Sequence, residues 1–393
     1  MKSIKDYPLL AVIIREANRI MHNPAYRFLL FGGPMIGIIL LFFIFKQGTV
    51  KQLPIAVVDQ DHSSLSIKIA NAIDAATDIT ITINTPNIFQ AQEMLETGKV
   101  EAIVLLPKDL EKSVFQGIEA PVPVYINGLN VLKAGLIQRS VLTTLKTISG
   151  GIQLKKLMLS GKNKKEAMAR IMPIKIQKHI LFNPYTNYNY FLNSAMLYVM
   201  LYLFVFLSSI YTLGNELKKG SGQNLLLTSN NSVRLAVVGK MIPYTIIFAG
   251  FAMFINLLLF VVEGMPINGS YFIIFIVQII SIITYQLMGL IFVGVTINLR
   301  LAMSLGSAYS MMGITFSGLT FPLEAMPWIA NTLAYLFPFT WFEKIIISQS
   351  LRGAPVSDAL PYVCYILLFQ LLSLCFLNIY KRYLNDSKYW GKS

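Results

Sequence analysis

Charged residues are scarce in this chain. Of its 393 residues, 13% are Asp, Glu, Lys or Arg, whereas 55% are hydrophobic. Soluble globular domains carry about 25% charged residues. A chain with so little charge has too few polar side chains to cover one large core in water, so the composition excludes an ordinary soluble enzyme.

Residues that hold metals or act as nucleophiles are also few. The chain has two cysteines, Cys364 and Cys375, and three scattered histidines, none at metal-ligand spacing. The cysteines lie about three helical turns apart in one apolar run, which is too far for a disulfide bond. The polar stretch 46–188 has no cysteine, so it is expected to depend on packing alone.

Nucleotide-binding and hydrolase motifs are missing as well. The chain contains no G-x-x-x-x-G-K-[ST], G-x-S-x-G or H-E-x-x-H motif. We therefore expect no ATP site, no catalytic residue, no metal and no cofactor bound directly to this chain. A membrane-embedded enzyme is disfavoured for the same reason.

Long uncharged runs are abundant. They are Phe28–Phe45, Asn189–Asn215, Met241–Val262, Gly264–Leu299, Leu301–Leu323 and Ala359–Tyr380. About 20 apolar residues in a helix cross the hydrocarbon core of a bilayer. The pattern predicts an α-helical integral membrane protein with six transmembrane helices and one inserted extracytoplasmic α/β domain.

The predicted boundaries follow from these runs. We expect a cytoplasmic amphipathic interface helix in 1–27, an extracytoplasmic α/β domain in 46–188, a cytoplasmic loop in 214–240, external re-entrant helices in 322–358 and a cytoplasmic tail in 381–393. The six spans are predicted at 28–45, 189–213, 241–262, 271–297, 301–321 and 359–380.

The basic residues lie where such a topology predicts them. Five Lys and Arg residues precede the first run, four lie between the second and third, and four follow the last, whereas the loop after the third run has none. Basic residues beside short loops mark the cytoplasmic side, so both termini are predicted to be cytoplasmic. Topology and attraction to anionic lipid explain the net charge of +14, and nucleic-acid binding is not expected.

The N-terminal segment 5–22 has an amphipathic pattern. Its apolar side is predicted to hold Leu9, Val12, Ile13, Ile20 and Met21, and its polar side Arg15, Glu16 and Arg19. A helix of this kind before a span can lie in the inner membrane interface. An ordinary cytosolic helix is the alternative.

Strand and helix patterns alternate in 46–188, which predicts a small α/β domain with a mainly parallel sheet. The long helix of this domain is predicted from Val131 to Leu159. Asp59, Asp61 and Asp109 lie at strand ends and helix starts, where carboxylates stabilise helix N-termini. We interpret them as capping residues rather than as a catalytic site.

The segment Phe321–Gly353 is too apolar for a loop and too interrupted for a span. Its prolines predict two short helices that enter the outer leaflet and return. No charged residue lies inside a predicted span, and Glu263, Glu324 and Glu343 are placed near the outer edge. A transporter driven by ions is expected to carry a buried ionisable group, so this absence argues against one.

Two stretches resemble the ABC-2 type permeases, the membrane subunits of a class of ABC exporters. The first, ELKKGSGQNLLLTSNNSVRLAVVGKMIPY, matches the inner loop of that family at Glu216, Gly220, Leu225, Leu226, Thr228, Gly239 and Lys240. Ser221 stands where the family usually has threonine. Gly222 is less favourable for a helix than the residue expected there, so the first residue of the loop helix is not determined by the motif. The second matches at Gly318, Pro322, Met326, Pro327, Pro338, Arg352 and Gly353.

The resemblance also covers the insert, where VVDQDHSSLS and YINGLN are similar to the drug-efflux branch with a large extracytoplasmic domain. It implies the permease subunit of an ATP-driven exporter that moves an amphipathic or hydrophobic, drug-like or lipid-like substrate from the cytoplasm or inner leaflet. The implied partners are two copies of an ATPase, which bind ATP and magnesium, a second permease copy or a paralogue, and membrane lipids. The implied location is the bacterial inner membrane, and a periplasmic adaptor is left open.

The resemblance assigns roles to three groups of residues. ATPase coupling falls to Glu216, Lys218, Lys219, Gly220, Leu225, Leu226, Leu227 and Lys240, with the leucines as an apolar plug. The dimer contact or translocation path is assigned to Gly33, Gly37, Met303, Gly306, Ser310 and Met311. The external gate is assigned to Phe316, Pro322, Met326, Pro327, Trp328 and Pro338.

Alternatives remain for several of these assignments. Small residues at fourfold spacing favour close helix packing, either between subunits or within one chain. The cargo could instead be a defined lipid, a glycan or an ion. A non-transporting membrane receptor or scaffold with an external ligand-binding domain is the alternative from another class.

Overall fold

The computed structural model describes residues 7–174, 176–177, 179–184 and 187–391. The predictions for residues 1–6 of the N-terminal helix, for 175, 178, 185 and 186 before the second span, and for 392–393 of the tail lie outside the described residues. The chain divides into two units. One unit is Met1–Gly48 with Ile180–Ser393, and the other is Thr49–His179.

The first unit begins with three helices, and a π-helical turn joins the second helix to the third. Its first elements are α1 (Pro8–His22), α2 (Pro24–Arg27), a π-helical turn (Phe28–Gly32) and α3 (Gly33–Phe45). Pro8 and Pro24 lie in the first turns of their helices, where the missing N–H costs nothing. The side chain of Asn23 accepts a hydrogen bond from the Ala25 amide and so starts α2.

The second unit is an α/β fold. Its elements are β1 (Leu53–Asp59), α4 (Ser64–Asp74), β2 (Ile79–Thr85), α5 (Ile88–Glu96), β3 (Ala102–Leu106), α6 (Leu110–Gln116), β4 (Val124–Ile126), α7 (Val131–Leu159) and α8 (Lys164–Ile171). The sheet order is β2-β1-β3-β4, in which β4 alone is antiparallel to its neighbour. The mainly parallel sheet that the alternation predicts is therefore present.

Both faces of this sheet are covered. Ile55 and Val57 of β1 point into a cluster with α4 and α7, whereas Ala56 and Val58 point into a smaller cluster with α5. Successive side chains of a strand alternate between faces, so burial on both sides explains the continuous apolar runs of β1 and β3. Helix α7 has the predicted bounds.

The first unit resumes with the remaining helices. They are α9 (Ser194–Lys218), α10 (Gly222–Thr228), α11 (Val233–Asn256), α12 (Tyr271–Thr296), α13 (Leu299–Phe316), α14 (Trp328–Ala334), α15 (Pro338–Ile347), α16 (Leu360–Leu374) and α17 (Leu377–Asn385). A π-helical turn, Asn189–Asn193, precedes α9, and others follow α11 and α15 at Leu257–Val262 and Ser348–Arg352.

Five helices of the described chain are long and apolar enough to cross a membrane. They are Pro24–Phe45, Asn189–Lys218, Val233–Val262, Tyr271–Thr296 and Val356–Asn385. The chain is therefore mostly helical and has the composition of a helical membrane protein. The predicted span 301–321 falls on α13, which is outside this group because Arg300 and several serines, together with a tyrosine, lower its hydropathy.

Helix α13 also ends earlier than predicted. It stops at Phe316, and the chain then turns at Gly318, whose φ of +95° suits glycine. A side chain on Gly318 would also press on Leu323. The predicted span 301–321 is thus a helix of 18 residues, which is about 27 Å long.

Helix α9 is the centre of the first unit. In an apolar stretch of 18 residues within Asn189–Lys218, 67% of the residues are buried. In the corresponding stretch of Val356–Asn385, 11% are buried. An amide pair joins two of its neighbours, since Asn256 Nδ2 donates to Gln278 Oε1 at 2.9 Å and Gln278 Nε2 donates to Asn256 Oδ1 at 2.8 Å. Tyr198 of α9 also donates to Asn256 Oδ1, at 2.8 Å. These bonds fix α9, α11 and α12 against one another where lipid supplies no hydrophobic drive.

The three aspartates singled out in the second unit behave differently from one another. Asp59 accepts hydrogen bonds from the amides of Asp61 and His62 and from the Ser66 hydroxyl, all at 2.8–3.0 Å. Asp61 accepts from the amides of Leu110 and Glu111, each at 3.0 Å, and so caps α6 from a distant loop.

Asp109 lies at the N-terminus of α6, as predicted, but its side chain does not cap the helix by a hydrogen bond. It takes a left-handed conformation with φ of +58°, and within the described chain its side chain makes no capping hydrogen bond. The amides at the start of α6 are already satisfied by Asp61, so the Asp109 carboxylate stays at the surface.

Replacing Asp61 with Ala should destabilise the start of α6 by about 1 kcal/mol, the usual cost of a lost cap. Amide exchange at Leu110 and Glu111 should then be about fivefold faster, as measured by hydrogen exchange on the full chain. Asp109→Ala is the matched control and should leave exchange unchanged. Faster exchange in the control alone would contradict the assignment of the cap.

The same cap should respond to acid. Slight burial raises the pKa of Asp61, but hydrogen bonds from Ser63 and from the Glu111 and Leu110 amides outweigh it and hold the pKa below its ordinary value. A depressed pKa means that the stabilisation is present at neutral pH and is lost as the pH falls below about 4. In the Asp61→Ala variant this acid-dependent change in exchange should disappear.

Candidate functional site

Charged side chains from three helices meet in the interior of the first unit. Lys240 of α11 lies between Glu16 of α1 and Glu216 of α9, with its Nζ 2.6 Å from Glu16 Oε2 and 2.8 Å from Glu216 Oε1. All three residues are 0% exposed. Buried charges are stable only when they are paired and hydrogen-bonded, so the contact holds all three helices together.

Glu216 is the most heavily bonded member. Arg15 donates to both of its oxygens, at 2.9 and 3.0 Å, in the bidentate geometry that suits guanidinium and carboxylate. Arg19 forms a further ion pair with it, and the Ser221 hydroxyl donates at 2.5 Å. Ser221 directly precedes α10, so the loop that follows α9 is bonded to the same carboxylate.

Glu16 is held by hydroxyl groups as well as by charge. Thr212 and Tyr244 donate to its Oε1 at 2.7 and 2.8 Å. Burial would raise the pKa of Glu16, but Lys240 and Arg19 outweigh it and keep the pKa below its ordinary value. Glu16 is therefore ionised at neutral pH and contributes its ion pair there. We call Arg15, Glu16, Arg19, Glu216 and Lys240 the buried ion cluster.

The cluster corrects the expectation for the N-terminal helix. The polar side of α1 faces the protein and not solvent, because Glu16 shares a buried stripe with Val12 and Ile20 at spacings of four residues. Met21, expected on the apolar side, is 67% exposed. The sequence contains a signal for this burial. A glutamate with an apolar residue four positions before it and another four positions after it lies on the apolar face of the helix, where it needs a cationic or hydrogen-bonding partner.

The cluster also lies close to two of the predicted spans. Glu216 and Lys240 belong to the helices Asn189–Lys218 and Val233–Val262, at positions outside the predicted spans 189–213 and 241–262. The expectation that no span contains a charged residue therefore stays a prediction. Both charges are paired with each other in the interior of the protein.

The loop 214–240, whose residues were predicted to couple to an ATPase, contains a short helix with one exposed leucine. In α10, Leu225 and Leu226 are 0% and 1% exposed, whereas Leu227 is 72% exposed. The predicted plug of three leucines is thus reduced to Leu227, because the other two pack into the core with Leu217 and Leu384. Helix α10 contacts α1, α9, α11 and α17.

Two glycines let this loop lie close to the C-terminal helix. A Cβ on Gly222 would lie 2.8 Å from the carbonyl oxygen of Leu384, and Gly220 has a φ of +62° with Trp390 against it. The close approach explains why a glycine begins α10 despite its low helix propensity. Lys218 and Lys219 are exposed beside it, whereas Glu216 and Lys240 are internal.

The glycines assigned to a dimer contact or path pack within the chain. A Cβ on Gly33 would meet Phe204, one on Gly37 would meet Met200, and one on Gly306 would meet Ile210, all of α9. Small residues were expected to pack either between two subunits or within one chain, and these three glycines pack within one chain. The other members of the group are half-buried Met303, Met311 at 60% exposure, and Ser310, which donates to the Gly306 carbonyl.

The segment after α13 contains the predicted gate residues. Pro322 and Pro327 directly precede a 3-10 turn and α14, and Pro338 is the first residue of α15, so each proline starts a helix. Phe316 stacks on Phe337 with ring centroids 6.0 Å apart. Met326 is half-buried and Trp328 is 78% exposed.

Among the described residues, no three His, Cys, Asp or Glu side chains lie close enough together to hold a metal ion. The ion cluster also presents no free nucleophile, because its carboxylates are engaged by cations and hydroxyls. What it can do is structural. It joins α1, α9 and α11 to one another and to the loop that holds α10.

Replacing Lys240 with Met should cost about 3–5 kcal/mol, because two buried carboxylates lose their shared cation. The unfolding midpoint of the purified chain, followed by tryptophan fluorescence, should fall strongly. Lys219→Met, at an exposed lysine, is the control and should leave the midpoint unchanged. Adding Glu16→Gln to Lys240→Met should restore part of the loss, and no restoration would contradict the pairing.

Comparison with known proteins supplies an independent finding. Residues 24–378 match the model of a family described as ABC-2 family transporter protein. The chain is also 24% identical over 352 residues to proteins named "Probable multidrug ABC transporter permease YbhS" from Escherichia coli strains K12 and O157:H7. Each alignment covers 87% of this chain and 88% of the relative. The family match spans most of the sequence, so the chain belongs to the ABC-2 family of transporter proteins.

Proposed function

We propose that this chain is the membrane-spanning permease subunit of an ATP-driven exporter, with six spans and an extracytoplasmic α/β domain. It works in the bacterial inner membrane with both termini in the cytoplasm, and a separate ATPase supplies the energy. The observation that carries the proposal is the buried ion cluster, which joins α1, α9 and α11 beneath a short helix with one exposed leucine.

The ATPase is proposed to bind at the surface of α10. Leu227 is the apolar anchor, and Lys218, Lys219 and Arg234 are exposed cations around it. A central apolar residue with a charged rim is a common arrangement for protein contacts. Because α10 packs on α1, α9, α11 and α17, a push on its outer face acts on all four helices.

Helix α9 carries such a push into the membrane. It contacts α3, α11, α12 and α13, so a tilt of α9 changes the packing of most of the first unit. Tyr202 stacks on Tyr285 of α12 at 5.1 Å, and Phe206 contacts the ring of Tyr309 of α13 at 5.8 Å. The proposed path opens where these rings separate.

The proposed assembly has two permeases and two ATPases, with ATP and magnesium bound by the ATPases. The second permease is a copy of this chain or a paralogue, and a periplasmic adaptor is an optional partner. Exposed apolar side chains such as Leu368, Leu371 and Leu372 of α16 suit lipid contact. Cargo is proposed to be drug-like, in line with the name of the curated relatives.

A lipid-like cargo is the second candidate, and a groove in the α/β unit favours it. The groove has a volume of about 850 Å³ between α4, α6 and α7, and its walls are largely apolar. Lys146 and Lys156 line it as well. This size lies within the range of small-molecule sites, and the charge would suit an amphipathic anion.

Coupling can be tested by substitution of neighbouring leucines. Leu227→Asp should abolish co-purification with the ATPase and its stimulation in lipid, and should leave the unfolding midpoint of the permease unchanged, because Leu227 is exposed. Leu226→Asp should instead lower the midpoint, because a carboxylate would be buried in the core.

Leu159→Asp is the matched control. Leu159 is 81% exposed at the end of α7, outside the proposed contact, and its replacement should affect neither measurement. Normal recruitment of the ATPase by Leu227→Asp would refute the contact. Failure of the wild-type chain to bind any ATPase encoded nearby would favour the receptor or scaffold alternative.

Labelling of single cysteines decides whether α13 and the segment after it complete a sixth span. In a variant with Cys364 and Cys375 replaced by Ser, Leu129→Cys should react with an impermeant maleimide on intact spheroplasts. Lys388→Cys should react only after lysis, because six spans place the C-terminal tail in the cytoplasm. Reaction of both positions from outside would indicate five spans and an external C-terminus.

A further inference from the structure

A second polar region lies in the first unit, between the end of α13 and α15. It is a cavity of about 740 Å³. Its walls come from the turn Ser317–Thr320, from α15 and from the start of Val356–Asn385. The volume suits a drug-sized molecule, for which sites of about 300–1,000 Å³ are usual.

Glu343 of α15 lines this cavity and is 7% exposed. Its Oε2 atom is buried and has no hydrogen-bond partner among the residues that the structure describes. Nor does any lysine or arginine of the described chain approach its carboxylate within ion-pair distance. A buried carboxylate oxygen without a hydrogen-bond partner is unfavourable, because it has lost water and gained no donor in its place.

The nearest lysine along the chain is engaged elsewhere. The Nζ atom of Lys344 lies 5.1 Å from the ring centroid of Trp341 and 5.6 Å from those of Tyr335 and Tyr362. Cations bind the faces of aromatic rings at such distances. Lys344 is therefore held by three rings and leaves Glu343 unneutralised.

The rest of the lining suits a cation with an apolar body. Arg352 is exposed at the cavity, where it lies with the exposed carboxyl groups of Glu324 and Asp358. The apolar members of the wall are Phe191, Leu319, Pro322, Leu323, Ile347 and Ala354. The cavity thus combines one buried acidic group with apolar side chains.

We propose that this cavity binds a lipophilic organic cation, with Glu343 as the counter-charge. That the bound cation is cargo rests on the permease function proposed above, whereas the binding itself does not. The cation supplies the opposite charge that the Glu343 carboxylate lacks, and the apolar wall holds the rest of the molecule.

The test is equilibrium binding of tritiated methyltriphenylphosphonium to the full chain in phosphatidylcholine nanodiscs. Triphenylphosphine oxide, which is similar in size and uncharged, is the matched ligand. Glu343→Gln should weaken phosphonium binding at least tenfold and change oxide binding less than twofold. Glu93→Gln, at an exposed carboxyl group of α5 outside the cavity, should change neither.

Binding should also depend on pH. Burial raises the pKa of Glu343 to about 7, against a smaller lowering by the Ser317 hydroxyl. Glu343 is then ionised above this pH, so the phosphonium affinity of the wild type should be about tenfold higher at pH 8 than at pH 6. The other charged groups that face the cavity are Glu324, Lys344, Arg352 and Asp358, and the pH dependence should persist in Glu324→Gln, Lys344→Gln and Asp358→Asn.

Several outcomes would overturn the proposal. They are unchanged phosphonium binding by Glu343→Gln, equal loss of both ligands in that variant, and a wild-type affinity that does not vary with pH. If Glu343→Gln does not yield folded protein, the pH titration of the wild type decides alone. If phosphonium binding depends on Glu343 but the chain recruits no ATPase, this inference stands and the proposed function is refuted. If the chain recruits an ATPase but does not bind phosphonium, the proposed function stands and this inference is refuted.

Discussion

The contact of Lys240 with Glu16 and Glu216 is the constraint on which the arrangement of the helical unit depends. Each partner comes from a different helix, and each is fully buried. Moving any one of them away would therefore leave an unpaired charge in the interior. Helix α1 is thereby fixed to the ends of α9 and α11, although it precedes the first candidate span. The Ser221 bond to Glu216 extends the same constraint to the loop that holds α10.

Away from this cluster, close packing and hydrogen bonds, rather than ion pairs, hold the helices together. The glycines of α3 and α13 bring these helices against α9, and the Asn256–Gln278 pair aligns α11 with α12. In lipid, small residues and interhelical hydrogen bonds replace the hydrophobic drive that packs helices in water. The central helix therefore has neighbours on most sides, and the apolar residues left exposed lie on outer helices such as α16.

The two polar regions of the helical unit differ in how their charges are satisfied. In the ion cluster, cations and hydroxyls surround both carboxylates. At Glu343, a buried carboxyl oxygen has no partner within the described chain, and the adjacent lysine contacts aromatic rings. The first arrangement is complete within one chain and suits a rigid joint. The second is incomplete and suits a site that an added molecule completes.

Hydropathy and periodicity are local properties, so the sequence alone determined the apolar helices, the α/β alternation of residues 49–179 and the bounds of α7. The motifs around Glu216 and Pro322 also predicted the family that the match over 24–378 shows. Other features depend on which side chains meet across long separations. Glu16 and Lys240 are 224 positions apart, and Asp61 caps a helix about 50 residues away. Only the tertiary structure decided that Leu226 is internal and Leu227 external, because burial depends on what packs against each face of α10.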